Sequence, residues 1–359
     1  MRQYSIALIP GDGIGVDVIR EGKKVLDTIT DIDGSLAFAY REFDWSCEYY
    51  LRHGKMMPED GLETLKGFDT IYLGAVGYPG VPDHVSLWGL LLPIRRTFQQ
   101  YINLRPVKLL RGIRSPLAGR GAEDLDFLVV RENNEGEYSN MGGRIYEGTE
   151  QDMAIQNTVF TRTGVERVLR YAFQVARDQG KRRRLTAATK SNGINYTMPF
   201  WDEYVRKIQQ EFPDVETSLV HIDALAAFFV TQPDTFDVVV ASNLFGDILT
   251  DLGAAIVGGI GIAPSANINP EKKYPSMFEP VHGSAPDIAG KGIANPVAAI
   301  WCASMMLDHF GESAAAEAIL EALQDVLEEG QHVTPDLGGS ARTEEMGEAV
   351  CDKLKEKLG

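Results

Sequence analysis

The stretch that most constrains the fold is residues 236–253, FDVVVASNLFGDILTDLG. Its first six residues are a β-branched, apolar run, which predicts a buried strand. After a turn, Leu244, Ile248, Leu249 and Leu252 fall on one side of a predicted helix. A buried strand leading into an amphipathic helix places the chain among α/β proteins. Asp247 and Asp251 are four apart and share one face of that helix, about a turn from its start. Like charges at that spacing cost roughly 0.2–0.5 kcal/mol, and a divalent cation held by both would reverse the sign. All-oxygen ligation by carboxylates suits Mg²⁺ or Mn²⁺ rather than zinc. Two solvated acids in an acidic protein would show the same spacing.

A chain of 359 residues has room for two domains or one large one. The net charge of −16 argues against nucleic acid or an anionic membrane as a main partner. It also makes basic side chains near one another informative, because the background field opposes anions. Cys47, Cys302 and Cys351 are scattered without metal or redox spacing, so they are expected to be reduced and structural. The apolar run at residues 6–9 is too short for a signal peptide and stops at Pro10. No run approaches the ~20 apolar residues of a spanning helix, and the expected location is cytoplasmic.

Residues 4–10 (YSIALIP) read as a strand, followed by Gly11-Asp12-Gly13-Ile14-Gly15 at the mouth of a helix. Such a turn can offer backbone N–H groups to phosphate, and tight turning alone also explains its glycines. The G-x-G-x-G spacing, with no acid closing a second strand about 20 residues on, excludes a Rossmann fingerprint. Residues 70–73 form a further strand, and residues 86–101 read as a helix carrying Arg95 and Arg96. Adjacent helical residues point ~100° apart, so only one of these arginines faces any single site. Strands are expected at 127–131 and 185–189, with a hairpin over 142–161 and helices at 163–179 and 200–212. Residues 224–230 read as a buried helix. Gly11, Arg131, Lys190 and Asp247 all fall at or just past the carboxyl end of a predicted strand, where α/β proteins bind ligands. Basic and acidic groups at one edge suggest an anionic substrate bridged to a metal.

The chain resembles the β-decarboxylating dehydrogenases, the isocitrate, 3-isopropylmalate, D-malate and tartrate dehydrogenase family, nearly end to end. The most specific stretches are Asn243-Leu244-Phe245-Gly246-Asp247-Ile248-Leu249-x-Asp251 and Glu279-Pro280-x-His282-Gly283-Ser284-Ala285-Pro286-Asp287-Ile288. The resemblance implies a two-domain α/β fold with a mixed sheet and no Rossmann motif. Residues 1–100 plus 257–359 would form an NAD-binding domain containing both termini, and 101–256 a central domain with metal, substrate and dimer residues. It further implies Arg95, Arg105 and Arg131 as a carboxylate clamp and Tyr138 and Lys190 as the acid–base pair. Asp223, Asp247 and Asp251 would be the metal ligands, with Lys190 and Asp223 reaching in from the partner subunit of a homodimer. Tyr138 as a hairpin aromatic and Lys190 as a surface charge remain the plain structural alternatives. Glu279, His282, Gly283, Ser284, Ala285, Asp287 and Ile288 would line the adenosine site, with Asn295 at the adenine. Asp287 would accept hydrogen bonds from both ribose hydroxyls and repel a 2′-phosphate, which favours NAD; it also suits a helix start.

The expected substrate is a small dicarboxylate 2-hydroxy acid. Counting back from Arg95, the isocitrate branch has Ser and Asn where this chain has Gly89 and Leu91, so a third carboxylate lacks its partners. The isopropylmalate branch has Glu where this chain has Trp88, whose bulk fills space an isopropyl group needs. The segment is most like the tartrate and D-malate group, which implies (R)-malate oxidised and decarboxylated to pyruvate, with tartrates also accepted. Asn134 stands where many relatives have Thr. A 3-isopropylmalate dehydrogenase is the alternative, ahead of an NAD-independent metal lyase and a non-catalytic regulatory subunit. The sequence leaves Mn²⁺ against Mg²⁺, and a K⁺ requirement, open.

Overall fold

A computed structural model describes residues 2–359. The chain divides into two compact units, Met1–Gln100 with Leu109–Ala122 and Ala254–Gly359, and Tyr101–Lys108 with Glu123–Gly253. Each is an α/β unit with a mixed sheet.

In the first unit the strands run in the order Leu36–Glu42, Arg2–Gly11, Thr70–Ala75, Ser276–Pro280, Pro264–Ile268. The first four are parallel, and Pro264–Ile268 pairs antiparallel with Ser276–Pro280. Successive side chains serve opposite faces, as strand geometry requires. Ala7, Ile9, Ile71, Leu73 and Met277 enter one core with Phe43, Trp45, Leu90, Ile94 and Phe98. Tyr72 and Phe278, the residues between, turn the other way: the Tyr72 hydroxyl donates to Ala299 O at 2.5 Å and Phe278 packs on His309. Both Ala299 and His309 belong to the helix Val297–Phe310, which lies with Gly15–Ile32, Ser313–Glu329 and Thr343–Leu358 in a helical layer. Residues 109–122, inside the central domain by the sequence boundaries, pack in this unit. Arg111 ion-pairs with Glu321 and Asp325 at 3.1 and 2.8 Å, and Gly112 leaves no room for a Cβ against the Leu327 carbonyl.

The second unit orders its strands Ile102–Lys108, Asp126–Glu132, Val238–Ala241, Arg184–Thr189, Glu216–His221. Ile102–Lys108 is antiparallel to its neighbour and the others are parallel. Val238–Ala241 is buried throughout, in keeping with its continuous apolar run. Helices Arg162–Asp178 and Thr197–Gln209 cover the sheet, and Asn243–Ile256 follows the central strand directly. The hairpin over 142–161 forms as Gly142–Ile145 against Met153–Gln156, with every residue of both strands exposed.

Two sequence expectations need correction. The helix expected over 86–101 is broken: Asp83–Ser86 leads into a π-helical turn at Leu87–Leu91 and then Leu92–Thr97. Pro93 has no N–H to donate back along the helix, and a widened turn accommodates it. The helix ends before Gln99, whose φ is 48°. The helix expected to be buried at 224–230 spans Ile222–Thr231 and buries only Leu225 and Phe229, leaving Val230 40% exposed. Among the described residues no helix is long and apolar enough to cross a membrane.

Candidate active site

In the second unit the site begins where the strand Asp126–Glu132 ends. Arg131, 4% exposed, donates from Nε and Nη2 to Asn243 Oδ1 at 3.2 and 2.7 Å and from Nη1 to Asp247 Oδ1. It passes beneath the helix Asn243–Ile256 because position 246 is glycine; a Cβ there would lie 2.6 Å from Arg131 Cγ. The Tyr138 hydroxyl donates to the other oxygen, Asp247 Oδ2, at 2.9 Å. Arg105, from the strand Ile102–Lys108, donates to Thr250 Oγ1 at 2.7 Å and lies 3.6 Å from Asp247 and 3.5 Å from Asp251. Two guanidinium groups, two carboxylates and one phenol are therefore gathered around the first three turns of one helix. Desolvation raises the Asp251 carboxyl above the ordinary aspartate value; Arg105 opposes that shift and the charge of Asp247 adds to it.

Lys190 and Asp223 form a separate pair. Lys190 follows the strand Arg184–Thr189, Asp223 opens the helix after Glu216–His221, and their charged atoms lie 2.9 Å apart. The hydrogen bond from Lys190 and a backbone N–H hold the Asp223 carboxyl below its usual value. Among the described residues no three His, Cys, Asp or Glu side chains converge as a metal site, so Asp223 does not join Asp247 and Asp251 within one chain.

The remaining candidates lie in the first unit. Arg95 and Glu279 are both buried and ion-paired at 2.6 Å, and Asn267 donates to the same Glu279 oxygen at 2.7 Å. Arg96 instead places its guanidinium 4.8 Å over the ring of half-buried Trp88, so the neighbouring arginines do point apart. After the strand Ser276–Pro280 the chain is irregular. His282 Nδ1 lies 2.9 Å from Gly283 O, while Nε2 is buried without a hydrogen-bond partner, and burial lowers the ring's pKa. Ser284 is buried, Gly283 and Asp287 are exposed, and Ile288 is half-buried. Ala285 adopts φ 40°, a conformation that side chains other than glycine seldom take. Asn295 spends its amide inside the fold, accepting from Val297 N at 3.0 Å and donating to Asp336 at 2.9 Å. The glycine-rich turn is packed against this loop: Ile14 N donates to Ser284 O at 2.9 Å and Asp12 N to Ala75 O at 2.7 Å. Gly13, at φ 57°, has no room for a Cβ beside the Ser284 carbonyl. Close packing accounts for these glycines.

Comparison with known proteins decides the family. The model of the isocitrate/isopropylmalate dehydrogenases matches residues 5–350. The chain belongs to that family. A probable tartrate dehydrogenase/decarboxylase of Bacillus subtilis is 56% identical over 99% of both chains, and the D-malate dehydrogenase [decarboxylating] of Escherichia coli is 55% identical over 98% of both. Among solved structures, isocitrate dehydrogenase from Methylococcus capsulatus superposes with a TM-score of 0.87 at 35% identity, covering 98% of this chain and 99% of that one. As a member of the isocitrate/isopropylmalate dehydrogenase family, the protein is an oxidoreductase of the decarboxylating dehydrogenase class.

Several residues around this dehydrogenase's candidate site were not singled out from sequence. Asn243 accepts two bonds from Arg131, Thr250 receives Arg105, and Glu137 takes Ser242 Oγ and Leu244 N, each at 3.0 Å. Asp336 meets Asn295 and receives Thr334 Oγ1 at 2.6 Å. The density of acids in Arg131-Glu132-Asn133-Asn134-Glu135-Gly136-Glu137-Tyr138 was the available signal. Of these, Glu132 is wholly buried and pushed up to about 7, burial outweighing the two backbone N–H groups it accepts.

Proposed function

We propose that the enzyme carries out the NAD-dependent, divalent-metal-requiring oxidative decarboxylation of (R)-malate to pyruvate and CO₂, and also acts on tartrates. The observation that carries this reading is the gathering of Arg105, Arg131 and Tyr138 around Asp247 and Asp251, the two carboxylates of the helix Asn243–Ile256. Guanidinium groups suit bidentate recognition of a dicarboxylate, and Arg95 is proposed to share that role. The all-carboxylate donor set fits Mg²⁺ or Mn²⁺, and the buried, unpartnered His282 Nε2 fits a loop made to receive a polar ligand such as the adenosine of NAD. When bound, the cation polarises the substrate hydroxyl and the nicotinamide accepts a hydride. Acting as the free amine, Lys190 takes the hydroxyl proton, the arginines hold the carboxylates in place, and Tyr138 returns a proton to carbon after CO₂ leaves. The bulk of Trp88, where the isopropylmalate branch has Glu, favours small substrates.

Asp223 is proposed as the third metal ligand, supplied with Lys190 by the second subunit of a homodimer. Supporting this, the hairpin residues Ile145, Tyr146, Met153 and Ile155 are 44–64% exposed, as is Ile248 on the site helix at 55%. Apolar exposure of that extent marks an interaction surface. The three cysteines are free and buried, which suits a reducing compartment, and the proposed location is the cytoplasm.

The test is to incubate the purified enzyme with NAD⁺ and Mn²⁺ and offer (R)-malate, (S)-malate, each tartrate or 3-isopropylmalate separately, following NADH and CO₂. NADH and pyruvate from (R)-malate, with isopropylmalate poor, supports the reading. Preference for isopropylmalate overturns the argument from Trp88, and no NADH from any acid overturns the proposed NAD-dependent reaction.

A further inference from the structure

The residue before Tyr138 holds the start of the helix that carries Asp247. Glu137 Oε1 accepts from Ser242 Oγ and Oε2 from Leu244 N, each at 3.0 Å. The first N–H groups of a helix have no partner within it, and the positive end of its dipole favours an anion there. Here the capping carboxylate comes from more than a hundred residues upstream.

The same loop is pinned on both sides of Glu137. Gly136 exchanges two backbone hydrogen bonds with Val159, at 2.9 and 3.1 Å. Asn243 Nδ2 donates to Glu135 O at 3.1 Å, and Ser139 Oγ donates to Asn157 O at 2.5 Å. Gly136 adopts φ 78°, and a Cβ on it would stand 3.3 Å from the Asn243 Cβ, so the turn is built for close approach to the helix. Glu137 thus ties together two things whose separation matters: the backbone that bears Tyr138, one residue on, and the helix that bears Asp247, a turn below the cap. Tyr138 and Asp247 meet at 2.9 Å.

We infer that Glu137 is a positioning residue, which sets the Tyr138 phenol against Asp247 by capping the helix Asn243–Ile256 from outside. The inference rests on the acid–base reading of Tyr138 proposed above. It assigns no chemistry to Glu137 itself. Loss of the cap leaves Tyr138 present but free to leave the geometry in which its proton is delivered, so turnover falls while cofactor binding in the other unit does not change.

The test is a double-mutant cycle on the full-length enzyme, with the hydroxy acid it turns over fastest. Glu137→Ala is expected to lower kcat by about 10-fold or more, with the KM for NAD⁺ within about twofold of wild type, and Glu137→Gln, which keeps one acceptor, to fall between. In a Tyr138→Phe background the same Glu137 changes are expected to cost less than about twofold, because the group being positioned is gone. A Glu137 effect that multiplies undiminished onto Tyr138→Phe overturns the inference, as does wild-type kcat in Glu137→Ala beside an impaired Tyr138→Phe. Wild-type turnover by Tyr138→Phe overturns the acid–base reading, and this inference with it. Should Glu137→Ala fail to fold, Glu137→Gln carries the same cycle.

Discussion

Lys190 Nζ lies 2.9 Å from Asp223 Oδ2, joining the carboxyl ends of two adjacent parallel strands whose last paired residues are Thr189 and His221. The pair is partly exposed, with side-chain exposures of 28% and 68%, so water screens it and its contribution to stability is small. Lys190→Met is therefore expected to retain wild-type circular dichroism and melting behaviour while kcat falls by roughly 10²–10⁴. A variant that folds and turns over at the wild-type rate would remove Lys190 from the mechanism.

If Lys190 serves the partner's site and Tyr138 its own, subunits carrying Lys190→Met and subunits carrying Tyr138→Phe complement one another. Each hybrid dimer then contains one intact site and one doubly damaged site. Dissociating and re-associating equal amounts of the two inactive proteins is expected to restore about a quarter of wild-type activity, from half the dimers having one good site of two. Activity that stays at the level of the parents would show that each chain completes its own site.

Asp247 and Asp251 are the two carboxylates one chain offers on a single helix face. Chelation of divalent ions is expected to abolish turnover, and added Mn²⁺ to restore it. Asp251→Asn keeps the side chain's volume and removes its charge, so the Mn²⁺ concentration giving half-maximal rate is expected to rise by about 10-fold or more. An unchanged Mn²⁺ titration would leave Asp251 as a solvated acid beside Arg105.

Asp287 is exposed in the loop that follows the strand Ser276–Pro280. If Asp287 reads the adenosine ribose as proposed, removing its charge takes away both the acceptor for ribose hydroxyls and the repulsion of a 2′-phosphate. Asp287→Ala is expected to lower the ratio of kcat/KM for NAD⁺ to that for NADP⁺ by about 10-fold, the worth of one charged hydrogen bond. A ratio that does not move would make Asp287 a turn residue only.

Glu132 predicts a pH dependence of stability. Burial raises its carboxyl from 4.5 to about 7, so the folded protein holds a proton that the unfolded chain has released. Between those values stability falls as pH rises: the contribution is full below about 4.5 and is lost once pH has passed about 7. Denaturant unfolding of wild type and Glu132→Gln across this window is expected to show the difference shifting in favour of the variant as pH rises. A difference that stays flat would mean that Asn134 N and Glu135 N, the two donors at 2.9 Å, keep the carboxylate ionised when folded.

The sequence by itself determined the elements that present the site. The runs at 127–131, 185–189 and 236–241 announced strands because each consists largely of the apolar residues that a covered sheet must bury. The 3.6-residue recurrence after Ser242 announced the helix that puts Asp247 and Asp251 on one face. The placement of Arg131, Lys190 and Asp247 at strand ends followed from those elements alone. Tertiary structure decided which partner each side chain meets. Arg95 meets Glu279, Asp223 meets Lys190 rather than Asp247, Asn295 turns to Asp336, and Glu137 caps a helix far along the chain. It also decided that the turn at residues 11–15 closes on Ala75 and Ser284, and that the helix expected at 86–101 widens ahead of Pro93. Periodicity reports which face of an element is buried; it carries no record of what lies opposite. Those pairings join residues as far apart along the chain as Ile14 and Ser284, and they exist only after the chain has closed.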